Sequence, residues 1–318
     1  NRMVIAVNHE YTNRNVNLPQ TGDGIPRSLE DVQKLQKLQG VAVMEVAQDD
    51  TGWHVVVDSP FNRRITHLTP MRITGPAAGH DLMKTAADPT GTQSLGTLNN
   101  CGSGKTPWGT YLTCEENFNG YFGSTETAED QKPVQLDAGY VRYGIGVDGW
   151  GYDYHKWDAR FDVSRNPHEP HRAGWVVEID PADPDSTPVK HTGLGRFKHE
   201  NAEVVLAPDG RVVVYMGDDE RGEFLYRFVS NGSYVPGGPT EGLLDDGTLY
   251  VARFNEDGTG QWLALTPDTT GMGSLAEVLI FARKAGSAVG ATTMDRPEWI
   301  SANPHAVEAY CCLTNNKN

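Results

Sequence analysis

Between residues 200 and 265, short runs of β-branched and aromatic residues alternate with Asp-Gly turns. The runs are Val212-Val213-Val214-Tyr215-Met216, Phe224-Leu225-Tyr226-Arg227-Phe228 and Leu249-Tyr250-Val251-Ala252-Arg253-Phe254. Pro208-Asp209-Gly210, Asp245-Asp246-Gly247 and Asp257-Gly258 punctuate them. Strand-forming runs spaced by about 10 to 15 residues and closed by turn residues suit an antiparallel meander. Similar runs stand at Met3-Val4-Ile5-Ala6-Val7, Trp53-His54-Val55-Val56-Val57 and Trp175-Val176-Val177-Glu178-Ile179. The chain carries 35 Gly and 19 Pro, about one breaker in six residues, which favours many short elements over long helices. The repeat "Asp-Gly, then a β run" has no fixed period and is compatible with propeller blades of unequal loop length or with a sandwich.

One helix is signalled. Pro26-Arg27-Ser28 leads into Leu29, Val32, Leu35 and Leu38, with Asp31 in a loose capping-box position and Gly40 closing it. Its lysines and glutamines occupy the other face, so it should lie on the surface. The stretches 58–108 and 117–173 have few strand signals, and loops of that length in a compact domain usually serve function or partners. No domain boundary is visible in the 318 residues.

The formal net charge is −15, which argues against nucleic-acid binding, since that relies on Lys and Arg at phosphates. Such acidity suits solubility, and it equally suits carboxylates converging on hard cations. No apolar run is long enough to span a bilayer. The four cysteines, Cys101, Cys114, Cys311 and Cys312, match no zinc-site spacing. A Cys101–Cys114 disulfide stays open, and the adjacent Cys311 and Cys312 should point to opposite faces of a strand.

Gly102-Ser103-Gly104-Lys105-Thr106 resembles the end of a phosphate-binding loop, but Pro107 follows and no helix can start there; it reads as a glycine turn. Trp108-Gly109-Thr110-Tyr111 reads as a strand leading into Cys114-Glu115-Glu116-Asn117. That string sets a thiol beside two carboxylates at a strand end, and it suits a buried free cysteine before a polar turn as well. Further acid-rich corners close other strands: Asn8-His9-Glu10, Lys198-His199-Glu200, Asp218-Asp219-Glu220-Arg221-Gly222-Glu223 and Asp295-Arg296-Pro297-Glu298. Each alone suits a solvated turn. Gathered at one mouth they could assemble a polynuclear site with oxygen ligands. Arg296 is the natural phosphate fork, with Glu298 beside it to hold a cation. His155, His168 and His171 read as surface histidines in a low-signal loop.

These strings, taken in order with Gly174-Trp175-Val176-Val177-Glu178-Ile179-Asp180-Pro181, Leu194-Gly195-Arg196-Phe197-Lys198-His199-Glu200 and Thr293-Met294-Asp295-Arg296-Pro297-Glu298-Trp299, resemble the PhoX family of alkaline phosphatases. The resemblance implies an all-β, six-bladed propeller with a few peripheral helices. Residues 1–318 would form a single propeller phosphatase domain covering part of the family's full length. It further implies hydrolysis of small-molecule phosphate monoesters at a polynuclear site holding ferric iron and calcium (Fe3+, Ca2+). Carried over by motif, Cys114 would be the iron-bound thiolate, Glu200 and Glu298 metal-binding carboxylates, and Arg296 the phosphate contact. Glu10, Glu115 and Asn8 would be calcium ligands or line the site, and Glu116 has no assigned role. Family members are exported folded by the twin-arginine route, so a periplasmic or secreted monomer is expected.

Two other functions fit a calcium-stabilised propeller: ligand binding without turnover, and hydrolysis of esters or lactones. Arg296 beside Glu298 favours phosphate, because a neutral ester does not require a guanidinium fork.

Overall fold

The computed structural model describes residues 1–127 and 136–314, and the chain it describes is mostly β. The first sheet contains β1 (Arg2–His9), β2 (Gly40–Asp49), β3 (Gly52–Val55) and β4 (Arg63–Ile65). The second contains β5 (Pro70–Thr74), β6 (Gln93–Leu95), β7 (Asn100–Lys105), β8 (Tyr111–Glu115), β9 (Val176–Ile179) and β10 (Val189–His191), in the order β6-β5-β10-β9-β8-β7. A third sheet runs β11 (Glu203–Leu206), β12 (Arg211–Gly217), β14 (Leu225–Ser233), β15 (Gly247–Phe254) and β16 (Gly260–Ala264). Between β12 and β14, the short β13 (Arg221–Glu223) leaves that sheet to pair with β17 (Met294–Asp295). A hairpin of β18 (Pro297–Ala302) and β19 (Ala309–Leu313) completes the described strands.

The third sheet is the antiparallel meander expected from residues 200–265, with β11, β12, β14, β15 and β16 paired in sequence order. Its alternation is legible residue by residue. Val212, Val214 and Met216 of β12 are wholly buried, packed with Phe224, Tyr226, Phe228, Leu249 and Val251. This core continues into the second sheet through Leu112, Cys114 and Val176, and into the helices Leu275–Ile280 and Ala282–Ala288. Between the first two sheets, Val41, Val43 and Ile65 pack on Met71, Val177 and Ile179.

The expected helix spans Leu29–Leu38, and the Ser28 side chain accepts a hydrogen bond from the Asp31 amide at 3.2 Å. Val32 and Leu35 are buried while Leu29 and Leu38 stay exposed. Gln36 departs from the expected polar face: it is buried, donating to Asp158 Oδ2 at 2.9 Å.

Three local expectations are corrected. Residues Asn100–Lys105 form a strand, and Trp108 and Gly109 lie in the turn before β8. The glycines of that strand answer a different demand from a turn. A Cβ on Gly102 or Gly104 would collide with the carbonyl oxygens of Glu200 and Ala202, so β7 runs against the 200–202 segment in a way only glycine permits. The stretch 58–108 also contains the short strands β4, β5 and β6. In 117–173 short helical turns prevail, with 128–135 outside the described residues. Of its histidines, His155 and His171 are buried rather than superficial.

Candidate metal centre

Strand ends deliver the acidic side chains to one place. Glu10 follows β1, Cys101 lies on β7 and Glu116 follows β8; ligand atoms of these three lie within 4.8 Å of one another. Glu200 precedes β11, Asp219 follows β12 and Glu298 lies on β18, and these form a second cluster within the same limit. Cys101 Sγ joins the two clusters, reaching Glu200 Oε2 at 3.4 Å.

Local backbone structure explains the convergence. His199 and Asp218 make a single antiparallel bridge, with the Asp219 amide donating to the Lys198 carbonyl at 3.0 Å and the Glu200 amide to Gly217 at 3.2 Å. Glu200 and Asp219 are therefore delivered side by side. Asn201 holds the β18 strand through reciprocal bonds with Ile300, both 2.9 Å. Gly217 lets β18 cross closely, because a Cβ there would lie 2.5 Å from the Pro297 carbonyl oxygen.

The donor set fits cations. One thiol and five carboxylates share a part-buried space, and Glu116 Oε1 is buried with no hydrogen-bond partner. Burial, with Asp219 nearby, pushes the Glu116 carboxyl up to about 9. Burial likewise raises Glu200 to about 7, Glu298 and Asp219 adding to the rise against the Cys101 hydrogen bond. Burial raises the Cys101 thiol too, with Glu200, Glu10 and Glu116 around it. Anionic ligands crowded this closely are stable together when a cation neutralises them.

Arg296 stands at the rim. Its Nε donates to Asp219 Oδ1 at 2.7 Å and its Nη2 to Asp219 Oδ2 at 2.6 Å, and Nη2 lies 3.2 Å from Glu298 Oε1. The residue adopts φ 58°, a conformation uncommon outside glycine that clusters at functional sites. With Glu116 and Asp219 it borders a pocket of about 330 Å3 whose other walls include Asn117, Trp150, Lys198 and Arg221.

Other residues singled out in the sequence stand elsewhere. Cys114 is fully buried in the apolar core with Leu112 and Val176, so its sulfur packs as a hydrophobe. Glu115 is also fully buried, and both its oxygens are occupied: Oε1 accepts from Lys190 Nζ at 2.8 Å and the Leu98 amide at 3.0 Å, Oε2 from the amides of Gly174 and Trp175. Asn8 is similarly committed. Its amide donates to the carbonyls of Cys101 and Gly102, both at 2.9 Å, and its oxygen accepts from Tyr111 and Thr113. It holds the peptide that carries Cys101. Glu10, Glu200, Glu298 and Arg296 are brought together, whereas Cys114, Glu115 and Asn8 lie outside both clusters.

Sequence reasoning passed over Cys101, Glu116 and Asp219, which the structure places in the two clusters. All four cysteines are free thiols, so Cys101 is not tied to Cys114. The available signal was the glycine at every second position after Cys101, which marks a strand in close contact with the Glu200 segment. Asp218 and Asp219 are indistinguishable in sequence. Asp218 forms a buried ion pair with Arg283 at 2.6 Å, leaving Asp219 for the site.

No curated protein matches this chain. The profile of the family described as "Alkaline phosphatase PhoX" matches residues 1–318. Among solved structures, the chain is similar to Pseudomonas fluorescens PhoX in complex with vanadate, a transition state analogue, with 52% identity and a TM-score of 0.93 over 99% of this chain. The match covers 56% of that structure's own chain. With the family profile matching over its whole length, the chain belongs to the PhoX alkaline phosphatase family.

Proposed function

We propose that this chain carries the metal-binding part of a phosphatase that hydrolyses small phosphate monoesters. The observation that carries the reading is the meeting of Glu10, Cys101 and Glu116 with Glu200, Asp219 and Glu298 beneath the Arg296 guanidinium. Similarity to a PhoX protein complexed with vanadate, a transition state analogue, supports phosphoryl transfer as the chemistry. The sheets are read as blades of a six-bladed propeller, with strand ends from several blades supplying the site.

The donor chemistry suits two kinds of ion. A thiolate suits a transition metal such as iron, and carboxylates suit calcium. Cys101 therefore replaces Cys114 as the iron-bound thiolate, with calcium among the carboxylates. Bound there, the cations supply positive charge to the oxygens of the transferring phosphoryl group. The protein's own contribution is orientation and charge. Arg296 offers its guanidinium to a phosphoryl oxygen, and Asp219 fixes that guanidinium by its two-point hydrogen bond. Asn8 holds the Cys101 peptide in place. Lys198, paired with Glu220 at 2.8 Å, adds a cation to the pocket wall.

Calcium-supported ester or lactone hydrolysis leaves Arg296 without a purpose, and a binding module holding calcium alone leaves the Cys101 thiol without one. No helix among the described residues is long and apolar enough to cross a membrane. By resemblance to the family, the reading extends to a periplasmic or secreted monomer exported folded. The function is tested on the intact protein with p-nitrophenyl phosphate. Arg296→Ala should lower kcat by about 10²–10³-fold, the usual scale for one lost transition-state donor, with metal content retained. Undiminished turnover in that variant would remove Arg296 from the mechanism.

A further inference from the structure

Trp150 borders the candidate pocket in a backbone conformation that aromatic residues avoid. Its φ of 48° and ψ of 21° are left-handed, as are Gly149 and Gly151 on either side, at φ 50° and 69°. For a bulky side chain this is an outlier that persists only where the surroundings impose it.

The surroundings are visible. The indole lies against Gly120, where a Cβ would sit 2.7 Å from Trp150 Cε3, so the ring rests on backbone. The Lys198 ammonium lies 5.4 Å from the ring centroid, a cation–π distance. Yet the residue is 48% exposed and borders the same pocket as Glu116, Asp219 and Arg296. Core burial does not account for a strained tryptophan that keeps half its surface in water. Its exposed surface faces the pocket that Arg296 also borders, which suits stacking of a second ring there.

Resting on the phosphatase reading above, we propose that Trp150 is the platform for the leaving group. The site would then favour phosphate monoesters whose leaving group carries an aromatic ring, whether a nucleobase or a phenyl group. A pocket of about 330 Å3 has room for the phosphate and one such group. Lys198 fixes the indole through its cation–π contact while its own ammonium is held by Glu220. Trp150 is thus a specificity-determining residue that acts on substrate affinity, not on the phosphoryl group.

The test compares kcat/KM of the intact, metal-loaded protein for 5′-AMP, phenyl phosphate and glycerol 2-phosphate. In Trp150→Ala the ratio of either aromatic ester to glycerol 2-phosphate should fall about tenfold, within the range for a base stacked on an aromatic side chain. The fall should come mainly from KM, and Trp150→Phe should restore most of it. A fall for phenyl phosphate alone would place the ring-binding position next to the phosphorus; a fall for AMP alone would place it one sugar away. Trp150→Gly removes the backbone strain together with the ring, so it should fold and show the same loss. Unchanged ratios in both folded variants would overturn the platform while leaving the phosphatase reading intact. A wild-type protein that hydrolyses none of the three esters would overturn the phosphatase reading and the platform with it.

Discussion

Cys114, Glu115 and Glu116 are consecutive, and each answers a different physical demand. Cys114 fills apolar space, Glu115 neutralises the buried Lys190 ammonium, and Glu116 faces the other anionic ligands. The Glu115–Lys190 pair is almost completely excluded from water, and Lys190 also donates to the Arg172 carbonyl at 2.7 Å. Burial lowers the lysine's affinity for its proton while Glu115 supports it. Glu115→Gln leaves that ammonium without its counter-charge and should destabilise the protein by about 3–5 kcal/mol, as expected when one partner of a buried ion pair is removed. Urea unfolding measures the loss, and retention of metal per folded molecule separates it from a ligand role. The sequence string alone cannot divide such roles. Asp218 and Asp219 repeat the lesson, since one residue of register decides between a buried ion pair and the site. Charge-dense strings mark where strands end, but which member faces inward depends on bridges such as His199–Asp218 that join residues distant in sequence.

Elements are more legible than their register. The strand runs of β1, β12, β14 and β15 and the Ser28-capped helix follow from local patterning, because β-branched runs and capping residues act over a few positions. The glycine-rich β7 was hidden because its glycines serve the approach of the 200–202 segment, a tertiary constraint that overrides poor strand propensity. Another cross-link between elements carries a pH dependence. His191 on β10 donates from Nδ1 to Asp245 Oδ2 at 2.9 Å, before β15, and from Nε2 to Glu178 Oε2 on β9 at 3.0 Å. Burial opposes the imidazolium, but Asp245 and Glu178 outweigh it and raise His191 from 6.5 to about 9. A histidine with a raised folded-state value contributes stability fully below pH 6.5, and that contribution is lost as pH rises towards 9. Its full size is on the order of 3 kcal/mol. Unfolding free energy should therefore fall between pH 6.5 and 9, and His191→Gln should flatten that slope. An equal slope in the variant would assign the dependence to other groups.

At the scale of the whole molecule, the acidic composition gains a partial explanation. Six candidate ligand side chains come from strands or the segments beside them, spread from Glu10 to Glu298, so the candidate site and the packing of the sheets depend on one another. Arg296 and Glu298 reach it only because β18 crosses Gly217 and bonds to Asn201. Of the residues that the family strings suggested, Glu10, Glu200, Arg296 and Glu298 lie in one neighbourhood. They pointed to Cys114, whereas Cys101 stands among the carboxylates; the two lie on the paired strands β7 and β8, and only three-dimensional placement separates them. On the proposed reading, a metal centre including Cys101 performs phosphate ester hydrolysis. Its most direct test is iron and calcium content together with p-nitrophenyl phosphate turnover in Cys101→Ala and Cys114→Ala variants of the intact protein. Cys101→Ala should lose iron and turnover together, while Cys114→Ala keeps both at the cost of about 1–2 kcal/mol of core packing. Iron and turnover retained in folded Cys101→Ala would contradict a Cys101 metal centre.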